Sequence, residues 1–219
     1  MKSMKKILCI VAASALCLGL FTGCGSDKKN SDKKDANGTQ ATQQDSEKTV
    51  ENLTGKHHVE IEVANYGTIA VELDADVAPI TVTNFVNLAN QGFYDGLTFM
   101  RVMNGFMIQG GDPNKDCTGG SDQTIKGEFS SNGVENNISH VRGTISMARS
   151  SAPDSASSQF FIVQADSTYL DGQYAGFGTV TAGMEIVDKI CTDATEVDGN
   201  GLIADVAKQP VITTIKVID

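Results

Sequence analysis

The sequence predicts a mainly β domain: a closed antiparallel barrel with two helices outside or capping it. Two observations predict it. Short apolar runs with period-two alternation recur across residues 57–219, and only two stretches carry helical spacing. Closure is also the arrangement that removes exposed sheet edges. In order, Val59, Ile61 and Val63 alternate with Glu60 and Glu62, Asn65-Tyr66-Gly67 supplies a turn, and Ile69, Val71 and Leu73 alternate again, a hairpin. Pro79 to Asn90 reads as a helix, with Pro79 in its first turn, Phe85, Val86, Leu88 and Ala89 inward, and Gly92 as its stop. Strands are expected near 97–103, 106–109, 144–148, 160–163 and 177–180. Met184 to Ile190 is expected as the second helix, and Val211 to Val217 as the closing strand. There is no internal repeat.

The chain divides into three parts at 1–23, 24–56 and 57–219. Lys2, Lys5 and Lys6 precede an apolar run from Ile7 to Leu20, the pattern of an export signal and too short for a comfortable membrane span of about 20 residues. That run ends at Leu20-Phe21-Thr22-Gly23-Cys24, which resembles a bacterial lipobox and predicts cleavage before Cys24 and its lipidation. Two or more acyl chains there would anchor the chain stably at the outer face of the cell membrane. Gly25 to Lys56 is polar, has no aromatic residue, and balances six Lys against six Asp plus Glu. Such a stretch buries too little surface to offset its ordering entropy, so it is expected to be a disordered tether.

Residues 57–219 hold eight Lys plus Arg and 21 Asp plus Glu, a formal charge of −13. That excludes a nucleic-acid partner, which needs a basic face, and adhesion to an anionic bilayer without the lipid. Cys117 and Cys191 are the domain's only cysteines and are expected to be unpaired, with no zinc-type Cys/His cluster. A monomer is the expected state.

The runs that carry chemistry lie at 99–112 (FMRVMNGFMIQGGD), 158–162 (SQFFI) and 169–178 (YLDGQYAGFG). In the first, alternation puts Phe99, Arg101 and Met103 on one face, and Met107 and Gln109 on one face, with Gly105 between the two strands. An Arg flanked by Phe and Met is either a surface side chain lying over apolar neighbours or a cation held at an apolar pocket. Phe160 and Ile162 alternate with Phe161 and read as core.

Together these three runs, in order and spacing, resemble the active-site signature of the cyclophilin-type peptidyl-prolyl cis-trans isomerases, and the resemblance covers essentially all of 57–219. It implies an eight-stranded barrel with a packed interior, a helix at each end and the site on the outer face. Its substrates would be proline-containing polypeptides, and it requires no cofactor and no metal. Rotation about an Xaa-Pro bond makes and breaks no bond; its barrier of about 18–20 kcal/mol is amide resonance. A catalyst has only to favour the twisted amide, whose nitrogen regains a lone pair, and a fixed guanidinium does that.

On the family pattern Arg101 takes this role and Gln109 holds it. Phe106, Met107, Phe161 and Leu170 would form the proline pocket, with Tyr169 and Tyr174 beside it. Gln159 and the backbone of Ala148 and Arg149 would pair with the peptide main chain, and Thr118, Gly119 and Gly120 would border the next pocket. The chain departs from the best-known pattern in four places. Met100 stands where His is common, Asn104 where Pro is, Tyr169 for a frequent Trp, and Tyr174 for a frequent His. Loss of the indole N–H predicts weak cyclosporin binding. Tyr174 and Arg149 are expected to shift peptide preference.

Other motifs carry little. Ser26 to Lys29 and Ser31 to Lys34 match S-x-x-K but lie in the tether without a K-T-G. Asp112 to Asp116 resembles a calcium loop, but Cys117 and Gln123 stand where Gly and Glu are required. His140 has no partner visible in the sequence, which argues against a hydrolase. The rival class is a tethered proline-binding module without turnover; retention of both Arg101 and Gln109 argues against it.

Overall fold

The computed structural model describes residues 51–219; the expected signal run, Cys24 and the expected tether up to residue 50 lie outside the described residues. Eight strands form one sheet: β1 (Lys56–Val63), β2 (Gly67–Asp74), β3 (Arg101–Met103), β4 (Met107–Gly110), β5 (Thr144–Met147), β6 (Phe160–Val163), β7 (Gly176–Ala182) and β8 (Ile212–Val217). Two helices accompany them, α1 (Pro79–Asn90) and α2 (Met184–Asp193). The spatial order is β3-β4-β6-β5-β7-β2-β1-β8, with the ladders antiparallel.

The hairpin forms because Asn65 and Gly67 both sit at positive φ, 66° and 126°, and reverse the chain between β1 and β2. The alternating residues Val59, Ile61, Val63, Ile69, Val71 and Leu73 then all face inward and are buried. Helix α1 stops in a Schellman arrangement: the Gly92 N–H donates to the Ala89 carbonyl at 2.9 Å and the Phe93 N–H to the Leu88 carbonyl at 3.0 Å. Its other end has no capping side chain of its own. The buried Glu128 carboxylate, from far along the chain, accepts from the N–H groups of Ile80 and Thr81 at 3.0 and 2.8 Å and from the Thr81 hydroxyl at 2.6 Å. An anion at that end satisfies orphan donors and complements the helix dipole. Phe85 of α1 plugs the sheet, with its ring centroid 5.3 Å from both Phe160 and Phe177.

The eight antiparallel strands curl into a half-barrel whose ladder runs from β3 to β8. A connecting segment lies along the edge of β3, with Val102 N–H donating to the Gly201 carbonyl at 2.8 Å and Ile203 N–H to the Met100 carbonyl at 2.9 Å. Separate bonds then tie residues 96–99 to residues 210–212. Two expectations are corrected. Phe99 does not share a face with Arg101: strand geometry begins only at 101, and Phe99 is fully buried in the main core. Residues 51–56 are not tether. Leu53 packs on the core with its N–H on the Thr83 hydroxyl at 2.8 Å, and Lys56 already pairs with Asp74 in β1. Composition misplaces this segment because its ordering comes from partners distant in sequence.

Strands β4, β5 and β6 are buried on both faces. One face feeds the main core through Ile108, Ile145, Met147, Phe160 and Ile162. The other builds a smaller apolar cluster of Met107, Phe161 and Val163, flanked by Met103, Phe106, Ala148, Leu170 and Tyr174.

Candidate active site

That second cluster floors a cavity of about 500 Å³ on the outer face of the sheet. Register builds it. Arg101 pairs with Gln109 across β3 and β4, Gln109 with Phe161 across β4 and β6, and Phe161 with Ser146 across β6 and β5. Directly opposed residues share a face, so a cation, an amide, a ring and a hydroxyl lie side by side across four strands.

Arg101 is clamped at the groove. Its Nε donates to the Asn200 carbonyl at 2.8 Å, one terminal nitrogen to Gln109 Oε1 at 3.0 Å, and the other to the Met103 sulfur at 3.1 Å. Gln109 passes the constraint on: its Nε2 donates to Gln159 Oε1 at 2.8 Å, and Gln159 Nε2 donates to the Gly119 carbonyl at 2.7 Å. One relay therefore fixes the cation, the floor and the 118–119 wall.

The apolar side is equally determined. Phe106 sits on the turn between β3 and β4, where Gly105 adopts φ 81°. Its carbonyl accepts from the Gln164 N–H at 2.7 Å. Phe161 meets Tyr174 edge-on at 5.9 Å. Leu170 enters from a single 3-10 turn, Thr168–Leu170. Arg149 lies over the rings of Phe129 and Tyr174, 5.0 and 4.6 Å from their centroids.

The structure gathers Arg101, Phe106, Met107, Gln109, Thr118, Gly119, Ala148, Arg149, Gln159, Phe161, Leu170 and Tyr174 around the one cavity. Tyr169 is outside its lining; it is 64% exposed and reaches the site only through Phe106, at 6.0 Å between rings. The Ala148 N–H is already bonded to the Gln159 carbonyl at 2.9 Å, so that amide is not free for a peptide. Sequence reasoning missed Cys117, Ser150 and Ser155, which complete the wall. Nothing local marks them, because they arrive on loops. Burial pushes the Cys117 thiol up, and the nearby Arg101 only partly opposes this.

His140 does have partners. Its Nδ1 lies 2.8 Å from Asp171 Oδ1 and its Nε2 2.9 Å from the Ser146 hydroxyl, and its ring stacks on Phe161 at 6.0 Å. The partners are a Ser-His-Asp set, but His140 and Ser146 are fully buried, so no substrate reaches the hydroxyl. The group braces the pocket floor. Burial lowers the His140 pKa, with Asp171 partly offsetting it. Burial would raise Asp171, but the His140 and Ser139 hydrogen bonds outweigh that and hold it low. The Asp112 carboxylate is engaged by its own loop, accepting from the N–H groups of Asn114 at 2.8 Å and Asp116 at 3.2 Å.

A cation fixed beside a ring-sized apolar pocket, open to solvent along a groove, suits a peptide rather than a small metabolite. Comparison with known proteins agrees. The family model described as cyclophilin type peptidyl-prolyl cis-trans isomerase matches residues 58–217. Peptidyl-prolyl cis-trans isomerase A of Dickeya dadantii is 45% identical over 151 residues, covering 67% of this chain and 76% of that protein. Peptidyl-prolyl cis-trans isomerase B of Escherichia coli is 40% identical over 156 residues, covering 68% of this chain and 92% of that protein. A Cryptosporidium parvum cyclophilin type isomerase crystallised in the presence of the dipeptide Ala-Pro superposes with TM-score 0.65 at 29% identity, covering 74% of this chain and 99% of that one. The chain belongs to the cyclophilin-type peptidyl-prolyl cis-trans isomerases.

Proposed function

We propose that this chain accelerates Xaa-Pro rotation in exported and surface proteins, working from the outer face of the bacterial membrane, with Arg101 stabilising the twisted prolyl amide. The observation that carries the reading is the clamped Arg101 guanidinium standing in register with Gln109 and Phe161. The proline ring occupies the Phe106, Met107, Phe161 and Leu170 pocket, which sets its nitrogen beside the cation. In the twisted state that nitrogen regains a lone pair and accepts from the guanidinium, an interaction the two planar states lack. Gln109 keeps the guanidinium aimed, so little reorganisation is needed as the amide turns. No nucleophile or proton transfer is involved. The Ala-Pro dipeptide present with the Cryptosporidium relative supports a proline-containing ligand.

Location rests on residues outside the described ones: the basic start, the apolar run and Cys24 support export and lipid anchoring, with residues 25–50 as spacer. Exchange NMR on a short Xaa-Pro peptide tests the activity. Rapid exchange with the wild type, falling about a hundredfold or more in Arg101→Ala, is expected for loss of a principal transition-state interaction. Peptide binding without exchange in either protein would leave a tethered binding module as the better account.

A further inference from the structure

The domain is strongly acidic, yet its groove is not. Among residues 57–219 acidic side chains outnumber basic ones 21 to eight, but the cavity is lined by two arginines, Arg101 and Arg149, and by no Asp or Glu. Among the described residues 57–219, four of the six cations outside the groove are paired: Arg142 with Asp188, Lys189 with Asp193, Lys208 with Glu196 and Lys216 with Glu62, while Lys115 and Lys126 are not. Among the described residues neither groove arginine is in an ion pair. Arg101 does have Asp198 close enough for its charge to be felt. Arg149 is held only by neutral groups. Its guanidinium lies over Phe129 and Tyr174, donates from Nε and Nη2 to the Gln173 carbonyl at 3.1 and 2.8 Å, and from Nη1 to the Ser150 carbonyl at 2.9 Å.

We infer that Arg149 is a specificity-determining residue that selects clients carrying a carboxylate side chain within two residues of the proline. The inference rests on the proposed peptide site and names its substrate class. Arg149 touches Tyr174, which touches Phe161, so its charge lies two ring contacts from the pocket floor. An extended peptide advances roughly 3.3–3.6 Å per residue, so two residues of backbone plus the reach of a Glu side chain cover that distance. A guanidinium has five donors; this one makes four bonds, the fourth a long one of 3.5 Å from Nη1 to the Ser151 carbonyl, so a hydrogen on Nη2 remains for a carboxylate. The preference arises at contact and not by steering. The domain's net charge repels an acidic peptide at long range, but salt screens that field over about 8 Å at physiological strength. Because Arg149 is already ordered by its two rings, a pair with it avoids much of the side-chain entropy that makes ordinary surface pairs weak.

The test uses the full chain and peptides differing only in Glu, Gln or Lys at the two positions on either side of proline. At low salt, kcat/KM and peptide affinity are expected to favour Glu over Gln by about two- to fivefold at one or more of these positions, with Lys below Gln. The ratio should collapse in Arg149→Gln and near 1 M salt, and reverse in Arg149→Glu. Ratios cancel any loss of turnover common to all peptides. Equal Glu-to-Gln ratios in wild type and Arg149→Gln overturn the inference, even where the Gln peptide is turned over normally. Conversely, affinities that follow the charge order without turnover uphold it and overturn the enzyme reading.

Discussion

Replacing Gln109 by Leu tests how the cation is held. Leu fills most of the space, but it removes the acceptor for an Arg101 terminal nitrogen at 3.0 Å and the donor to Gln159 Oε1 at 2.8 Å. An unsatisfied buried group costs about 1–3 kcal/mol. Both partners border an open groove where water can replace the lost bonds, so the stability loss is expected near the low end, about 1–2 kcal/mol. The guanidinium keeps its bonds to Asn200 and Met103, so it is misdirected rather than released. That predicts a fall in kcat/KM of about ten- to a hundredfold, or about 1.4–2.7 kcal/mol. Gln109→Glu separates orientation from charge. Its carboxylate still accepts from Arg101 but neutralises it, so activity should fall at least as far, with a stability loss similar to that of Leu because the donor to Gln159 Oε1 is gone here too. Exchange NMR on an Xaa-Pro peptide and urea unfolding read both quantities. Undiminished kcat/KM in Gln109→Leu, alongside the expected stability loss, would refute the positioning role and leave Gln109 as packing.

Two other outcomes follow from buried polar groups. Glu128→Ala strips three donors at the start of α1 of their acceptor, so a loss of about 2–4 kcal/mol in urea unfolding is expected; under 1 kcal/mol would mean water caps the helix instead. Acid should destabilise the domain in two stages around His140 and Asp171. The unfolded chain takes up the His140 proton near the ordinary pKa of about 6.5 while the buried ring resists until lower pH, so stability falls as pH drops through that window. Asp171 has a lowered folded pKa, so its contribution is full above the ordinary value of about 3.9 and is lost as pH falls through the folded one. Urea midpoints from pH 7.5 to 3 should lose the first slope in His140→Gln; an unchanged slope there would contradict the assignment.

Local pattern determined much of this protein. The alternation in 59–63 and 69–73 makes the hairpin, Pro79 and Gly92 bound α1, and the period of two separates Phe161 from Phe160 and Ile162. These are legible because a strand or helix fixes which neighbours share a face. The motif spacing also brought most of the groove together on paper.

Only the tertiary structure decided the rest. Register between β3, β4, β6 and β5 aligned Arg101, Gln109, Phe161 and Ser146, and no single strand encodes its offset from the next. Glu128 reaches α1 from 47 residues away, Asp171 reaches His140 from 31, and Asn200 reaches Arg101 from 99. Residues 201–203 pair with the β3 edge and residues 96–99 bond to residues 210–212, contacts between segments far apart in sequence that no local pattern encodes. Composition likewise read 51–56 as tether, since Leu53 and Lys56 look solvated until Thr83 and Asp74 are brought beside them. Sequence specifies the faces; the closing of long loops specifies which faces meet.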